Sequence, residues 1–198
     1  MTVNFHKYQG TGNDFIMIDN RDAGLNLGRD EIERLCHRRF GIGADGLIYL
    51  QNINGYDFQM VYYNSDGNES SMCGNGGRCL IQFAHDLGLI GTHCKFIAVD
   101  GEHEGEIMGN RIVSLKMKDV DTIGNYNSDF VLNTGSPHYV QFVNYVGQTR
   151  VVEEARKIRY NERFAADGIN VNFVEKKSSN EIFVRTYERG VEDETLSC

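Results

Sequence analysis

Arg39-Phe-Gly-Ile-Gly-Ala-Asp-Gly-Leu47 and Arg163-Phe-Ala-Ala-Asp-Gly-Ile169 decide the architecture, because the same succession of features surrounds both. Upstream of the first, Asp30 and Glu31 open a helical pattern, Ile32, Leu35, Cys36 and Phe40 form an apolar stripe, and Gly41 stops it after Arg38 and Arg39. A similarly charged helical pattern over 151–160 precedes the second. Downstream, the apolar run Ile48-Tyr-Leu50 and the alternating run Asn170-Val-Asn-Phe-Val174 each begin a hairpin, turning at Asn54-Gly55 and at Ser178-Ser-Asn180. The second strands finish at Tyr63-Asn64 and Tyr187-Glu188; Cys73 follows nine residues after Asn64 and Cys198 ten after Glu188. Gly12-Asn-Asp14 before Phe15-Ile-Met-Ile18 matches Gly135-Ser-Pro137 before Tyr139-Val-Gln-Phe-Val143. Two such halves imply a duplicated lobe with a pseudo-twofold axis.

The duplication divides the chain into an N-terminal lobe over 1–120 that carries Cys73 and a C-terminal lobe over 121–198 that ends at Cys198. After Cys73 the first half continues through a helix, the strand pattern Cys94 to Val99, and a hairpin about Gly109-Asn110 with the alternating Ile112-Val-Ser-Leu-Lys-Met117. By the repeat, about 45 residues of this kind belong after Cys198 as well. The expectation is therefore a piece of a longer protein with an incomplete second lobe and little or no activity of its own.

Composition narrows the functional class. With 40% hydrophobic and 24% charged residues, the 198-residue chain has the make-up of a globular protein with a real core. A net charge of −8 with scattered Lys and Arg argues against nucleic acid as a partner and favours a small molecule. There is neither an apolar run of about 18 residues for a membrane span nor a signal-peptide pattern at the start, so the cytoplasm is expected. In that compartment the five cysteines are read as reduced thiols. Cys73 and Cys79 are six apart, and the Cys36-His37 and His93-Cys94 neighbours point in divergent directions, so no metal site is expected.

Cys73 stands apart from the other thiols. Met72-Cys-Gly-Asn-Gly-Gly-Arg78 leads into a helical pattern with apolar positions 80, 83, 84 and 87 and Gly88 as its stop, which puts Cys73 at a helix N-terminus. Unpaired N–H groups and the positive dipole end there favour a thiolate and can hold an anion. Glycines at 74, 76 and 77 allow backbone to approach a bound carboxylate. The segment lacks the Lys-Ser/Thr of a P-loop, and Gly41-Ile-Gly43-Ala-Asp-Gly46 leads into a strand rather than a helix, which excludes a nucleotide site. Cys36, Cys79 and Cys94 read as small buried hydrophobes.

Gly10-Thr-Gly-Asn-Asp-Phe15, Gly41-Ile-Gly-Ala-Asp45, Tyr63-Asn-Ser-Asp-Gly67 with Cys73-Gly-Asn-Gly-Gly-Arg78, Gly135-Ser-Pro-His138, and Tyr187-Glu-Arg-Gly190 with Glu194-Thr-Leu-Ser-Cys198 resemble the diaminopimelate epimerase family, in the family's order and over the whole chain. The resemblance implies an α/β fold of the α+β type: two pseudo-symmetric lobes, each a curved, mostly antiparallel sheet around a central helix. It implies a cofactor-free isomerase that interconverts LL- and meso-2,6-diaminopimelate in lysine and peptidoglycan precursor biosynthesis, with a homodimer as the candidate assembly. Inverting a carbon requires an acid on one face and a base on the other. By resemblance Cys73 and Cys198 fill these roles, with Cys73 as donor and Cys198 as acceptor in one direction.

The resemblance further implies that backbone at Gly74 and Asn75 holds the α-carboxylate, that Asn13, Asn64, Asn170 and Arg189 bind substrate, that Glu188 meets an ammonium, and that His138 orients the reacting end. Taken singly these residues have plainer readings: Asn13 as a turn former, Asn64 as a strand-end cap, Asn170 on a solvated strand face, Glu188-Arg189 as a surface pair. Many family members carry Gln where this chain has Gly46 and Asn where it has Ser136, both on the grip for the distal end of the substrate. Two other functions compete: a cofactor-free racemase or isomerase of the same fold acting on proline-like or other amino acids, and a non-catalytic redox protein in which Cys73 and Cys198 form a reversible disulfide.

Overall fold

The computed structural model describes residues 2–196, and Cys198 lies outside the described residues. The chain divides into two compact units, Met1–Met117 and Lys118–Cys198. In the first, strands β1 (His6–Gly10), β2 (Asn13–Asp19), β3 (Gly46–Gln51), β4 (Phe58–Asn64), β5 (His93–Ala98), β6 (Gly101–Gly109) and β7 (Ile112–Lys116) form one sheet in chain order. Helix α1 (Arg29–Cys36) lies between β2 and β3, and helix α2 (Gly74–Asp86) between β4 and β5. Those two strand pairs are parallel and the rest antiparallel, since a parallel neighbour can be reached only by a crossover, here a helix.

The sheet curls around α2, which touches strands from β1 through to β7. Phe15 and Met17 of β2, Ile48 and Leu50 of β3, Phe58 and Met60 of β4, and Phe96 of β5 enclose Leu80, Ile81, Phe83 and Ala84. The opposite face of β2 and β3 presents Ile16, Ile18, Leu47 and Tyr49 to Ile32 and Cys36 of α1. Burial on both faces explains why Phe15–Ile18 and Leu47–Leu50 read as unbroken apolar runs. At Gly76 a Cβ would come within 2.7 Å of Ile48 Cδ1, so the first turn of α2 approaches the sheet as closely as it does only with glycine there.

One expected element is shorter than its pattern. Helix α1 ends at Cys36, with His37 extended, and Phe40 is 79% exposed rather than part of the apolar stripe. The reason is competition for the last carbonyls of the helix: Ile42 and Gly43 N–H donate to Leu35 O at 2.8 and 3.0 Å, and Ala44 N–H to Cys36 O at 3.0 Å. The chain thus turns back beneath the helix end instead of extending it.

In the second unit β8 (Ile123–Tyr126), β9 (Asp129–Asn133), β10 (Pro137–Phe142), α3 (Val151–Arg159), β11 (Asn170–Lys176), β12 (Ile182–Glu188) and β13 (Asp193–Thr195) build a six-stranded sheet, with β13 and β8 at its edges. Only β10 and β11, joined across α3, run parallel. Val151 and Ala155 of α3 pack with Tyr139, Phe164, Val171, Phe173 and Tyr187. The succession β10-α3-β11-β12 repeats β2-α1-β3-β4 in order and direction. Among the described residues of this unit α3 stands in the place of α1, and no helix stands in that of α2.

Strand pairing also fixes the register of the repeat. Phe15 pairs with Gly46 and His138 with Asn170, which makes Gly46 the counterpart of Asn170 and, two residues before Phe15 and His138, makes Asn13 the counterpart of Ser136. The sequence motifs instead placed Gly46 opposite Gly168. From the shared Arg-Phe to the strand start the two connections are equally long, but in the second the Asp-Gly comes two residues earlier, in a turn of its own in which left-handed Gly168, at φ 74°, donates to Phe164 O at 2.9 Å and Phe164 is buried, unlike Phe40.

Candidate active site

Cys73 caps the N-terminus of α2 with extended backbone, and its carbonyl accepts the Gly77 N–H at 2.8 Å. Its thiol donates to Asn13 Oδ1 at 3.7 Å. Asn13 opens β2, only 9% exposed, and its Nδ2 donates to Asp45 Oδ2 at 2.8 Å. Asp45 further accepts the Asp14 N–H at 3.1 Å and Arg38 Nη2 at 2.6 Å. From the helix side, the buried Asn75 donates through Nδ2 to Asn13 Oδ1 at 3.4 Å, while its own Oδ1 accepts from Arg78 and from Thr11 Oγ1. The structure therefore brings together Asn13, Cys73, Gly74 and Asn75 in the first unit.

Asn64 ends β4 opposite Gly46 on β3. A side chain at Gly46 would place its Cβ 2.5 Å from both the Tyr63 carbonyl and the Tyr62 ring, so here this position offers only backbone. Asp14 forms ion pairs with Arg38 at 2.8 Å and Lys7 at 2.6 Å. Burial raises its pKa, but hydrogen bonds from Arg38 and Lys7 outweigh that and bring it down to about 2.

In the second unit Ser136, His138, Asn170 and Arg189 cluster at one end of the sheet. Asn170 Nδ2 donates to Ser136 Oγ at 3.1 Å and its Oδ1 accepts the Arg189 N–H at 2.9 Å, while Arg189 Nη1 reaches Asp167 O at 2.8 Å. Glu188 is the last residue of β12 and pairs with Asp193 of β13. Asn170, at 3% exposure, is buried, not on a solvated face.

Asn172, two residues along the same strand face, donates from Nδ2 to His138 Nδ1 at 3.0 Å and to Tyr139 O at 3.1 Å; its Oδ1 accepts Thr186 Oγ1 at 2.9 Å. An amide donor on Nδ1 leaves the imidazole proton on Nε2. Burial, with the charge of Arg189, holds His138 below the ordinary imidazole range.

Sequence reasoning missed Asp45, Asn172 and Thr186 as supports of these residues. The signal available for Asn172 was an Asn at i+2 from Asn170 in a strand whose remaining positions are apolar, a polar pair that needs partners if buried. Cys36, Cys79 and Cys94 are buried, and burial pushes their thiols up to about 11, 12 and 11, so they are poor nucleophiles. Among the described residues no group of three His, Cys, Asp or Glu could hold a metal, and no helix is long and apolar enough to cross a membrane.

The chain matches the family described as Diaminopimelate epimerase over residues 5–116 and 130–198. It is 54% identical over 197 residues to a diaminopimelate epimerase of Flavobacterium psychrophilum, covering 99% of this chain and 77% of that protein. To those of Chlorobaculum tepidum and Aquifex aeolicus it is 46% and 39% identical, covering 76% and 77% of their lengths and 96% and 99% of this chain. Among solved structures, a PhzF-family phenazine biosynthesis protein of Bacillus anthracis superposes with a TM-score of 0.69 at 12% identity, over 98% of this chain and 75% of that one. A hydroxyproline epimerase of Agrobacterium vitis gives 0.62 at 12% identity, over 93% and 70%. These two likenesses concern the fold.

Proposed function

The chain belongs to the diaminopimelate epimerase family, and from that premise we propose that it serves lysine biosynthesis by interconverting LL- and meso-2,6-diaminopimelate through proton transfer between Cys73 and Cys198. The observation that carries this reading is Cys73 at the N-terminus of α2, its sulfur held against the buried Asn13 amide. One thiolate removes the α-proton, the pair of electrons left on carbon is reprotonated by the other thiol from the opposite face, and the two cysteines end the turnover with their protonation states exchanged.

The Gly74 and Asn75 N–H groups at the helix start supply donors for the substrate α-carboxylate, where charge develops as the proton leaves. Asn13, Asn64, Asn170 and Arg189 bind substrate, Glu188 takes an ammonium, and His138, neutral with its proton on Nε2, orients the reacting end. Ser136 acts through Asn170, whose Nδ2 it accepts. Gly46 contributes no side chain to the distal grip. The chemistry asks for no cofactor.

The test is exchange of the substrate α-proton in D2O by the full-length protein with LL- or meso-diaminopimelate under reducing conditions. Both Cys73→Ser and Cys198→Ser are expected to lose epimerisation, since a serine hydroxyl is far too weak an acid to stand in for a thiol. Proline and 4-hydroxyproline serve as alternative substrates; turnover of these without diaminopimelate would move the assignment to a related racemase. Absence of exchange with all of them in the reduced full-length protein refutes the proposal.

A further inference from the structure

The amides beside Cys73 are the inner links of one directed chain of hydrogen bonds. Arg78 donates to Asn75 Oδ1, Asn75 Nδ2 to Asn13 Oδ1, and Asn13 Nδ2 to Asp45 Oδ2, while Asp45 Oδ1 accepts Arg38 Nη2. An amide between two neutral groups could turn over and exchange its oxygen and nitrogen. Here neither can, because the outer groups are chemically one-sided: a guanidinium only donates and a carboxylate only accepts. With Asn75 and Asn13 at 4% and 9% exposure, water is a poor substitute for either partner. The consequence falls on the middle of the chain, where Asn13 turns its oxygen and not its N–H toward Cys73 Sγ.

We propose that Asp45 and Arg78 are positioning residues that lock the Asn13 amide with its oxygen toward Cys73 and thereby stabilise Cys73 as the protonated thiol. An oxygen lone pair accepts S–H and repels S⁻, whereas the reversed amide would donate to the thiolate. The lock opposes the N-terminus of α2, which favours the thiolate, so that Cys73 retains a proton to give without becoming inert. The charged and titratable groups that the first unit presents here are Arg78 and Cys79 on α2 and Asp45 behind Asn13, with Asp14, Lys7 and Arg38 farther out. Cys79 is buried and its thiol pushed up to about 12, so it stays neutral through the range of interest. This inference rests on the proposed role of Cys73, but its readout does not require turnover.

The experiment follows alkylation of Cys73 by iodoacetamide against pH, quantified by mass spectrometry of the peptide that carries it, which separates it from every other cysteine. Asp45→Asn removes the obligate acceptor at one end, and Arg78→Met removes the obligate donor at the other while keeping an unbranched stem on the helix. Each single variant leaves Asn13 held from the other end and moves the pH midpoint of Cys73 alkylation by its charge alone, up in Arg78→Met and down in Asp45→Asn; the double variant, in which the two charge changes oppose and both amides are free to turn, should lower it by about one unit or more. Asp45→Ser, whose hydroxyl can donate as well as accept, takes the place of Asp45→Asn in the double variant if the latter fails to fold. A midpoint that stays at the wild-type value or rises in the folded double variant overturns the lock. If the midpoint falls as stated in the double variant but full-length wild-type protein shows no α-proton exchange, the lock stands and the epimerase reading fails.

Discussion

Replacing Gly41 by alanine tests how the first crossover places Asp45. An ideal Cβ at Gly41 would lie 2.0 Å from Arg34 O and 2.6 Å from Leu35 O, both backbone atoms of α1. Real Cβ contacts stay above about 3 Å, so the segment must lift by about 1 Å. That segment is held by Gly41 N to His37 O at 2.8 Å, Ile42 N and Gly43 N to Leu35 O at 2.8 and 3.0 Å, and Ala44 N to Cys36 O at 3.0 Å. Loosening two or three of these at about 1 kcal/mol each, together with about 1 kcal/mol of residual overpacking, gives a loss of about 3 kcal/mol. In urea this moves the unfolding midpoint down by about 1–2 M. Gly91→Ala is the internal control: nothing lies within 4 Å of its Cβ, and its change should stay within about 0.5 kcal/mol. Because Asp45 directly follows Ala44, epimerisation should fall in folded Gly41→Ala as Asn13 loses its anchor. A loss below about 1 kcal/mol with wild-type activity would show that the loop adapts at little cost and that the argument from close approach is wrong.

Asp14→Asn should cost about 1–2 kcal/mol at pH 7, less than the full pKa displacement implies because Arg38 is 59% and Asp14 22% exposed in side chain. The carboxylate pKa is lowered in the folded protein, so its contribution is present above about pH 4 and lost as pH falls toward about 2; the wild-type and variant stability curves should converge there, and parallel curves would contradict the assignment. Asn172→Ala should raise the His138 pKa toward the ordinary imidazole value, as water enters and the donor on Nδ1 is lost, and should cost about 2 kcal/mol for the stranded Thr186 hydroxyl and Tyr139 carbonyl. A His138 with a depressed pKa adds stability above about pH 6.5 that is lost as pH falls through its folded value, so this slope should shrink in the variant; an NMR titration showing His138 unmoved would refute it.

The fold was legible where local chemistry and periodicity agree. Two helices joined to apolar strand runs forced parallel pairs between β2 and β3 and between β10 and β11, and a glycine-started helix after Cys73 supplied the centre of the first sheet. What misled was a motif taken for a register. Arg-Phe followed by Asp-Gly occurs in both halves, yet Phe40 is exposed where Phe164 is buried, and the strand pairing places Asn170, not Gly168, where the first half has Gly46. Turn chemistry recurs wherever a chain must leave a helix and enter a strand, whereas register follows the pairing that buries Leu47 and Val171. The hairpin ends, Asn64 and Glu188, were aligned correctly because distance along paired strands, unlike loop length, is fixed by hydrogen bonding.

The same distinction separates the site residues that could be read from those that could not. Cys73, Gly74 and Asn75 declare themselves by position at a helix start, and their environment follows from that alone. Asp45 and Asn172 act on residues 32 and 34 positions away, and nothing local marks them: Asp45 reads as a loop acid before a strand, Asn172 as an oddity within one. Their roles come from adjacent strands meeting at their ends, where β2 delivers Asn13 to the residue preceding β3 and β10 delivers His138 to the interior of β11. A buried amide at such a junction has one arrangement in which every donor meets an acceptor, and that arrangement is decided by the nearest group that cannot reverse its polarity. For Asn13 that group is a carboxylate; for Asn172 it is the Tyr139 carbonyl, which can only accept and so turns Nδ2 toward His138. Each catalytic candidate thereby receives a fixed hydrogen-bond polarity from backbone or charge one strand away, which is the form of support a proton-transfer site needs and a sequence pattern does not record.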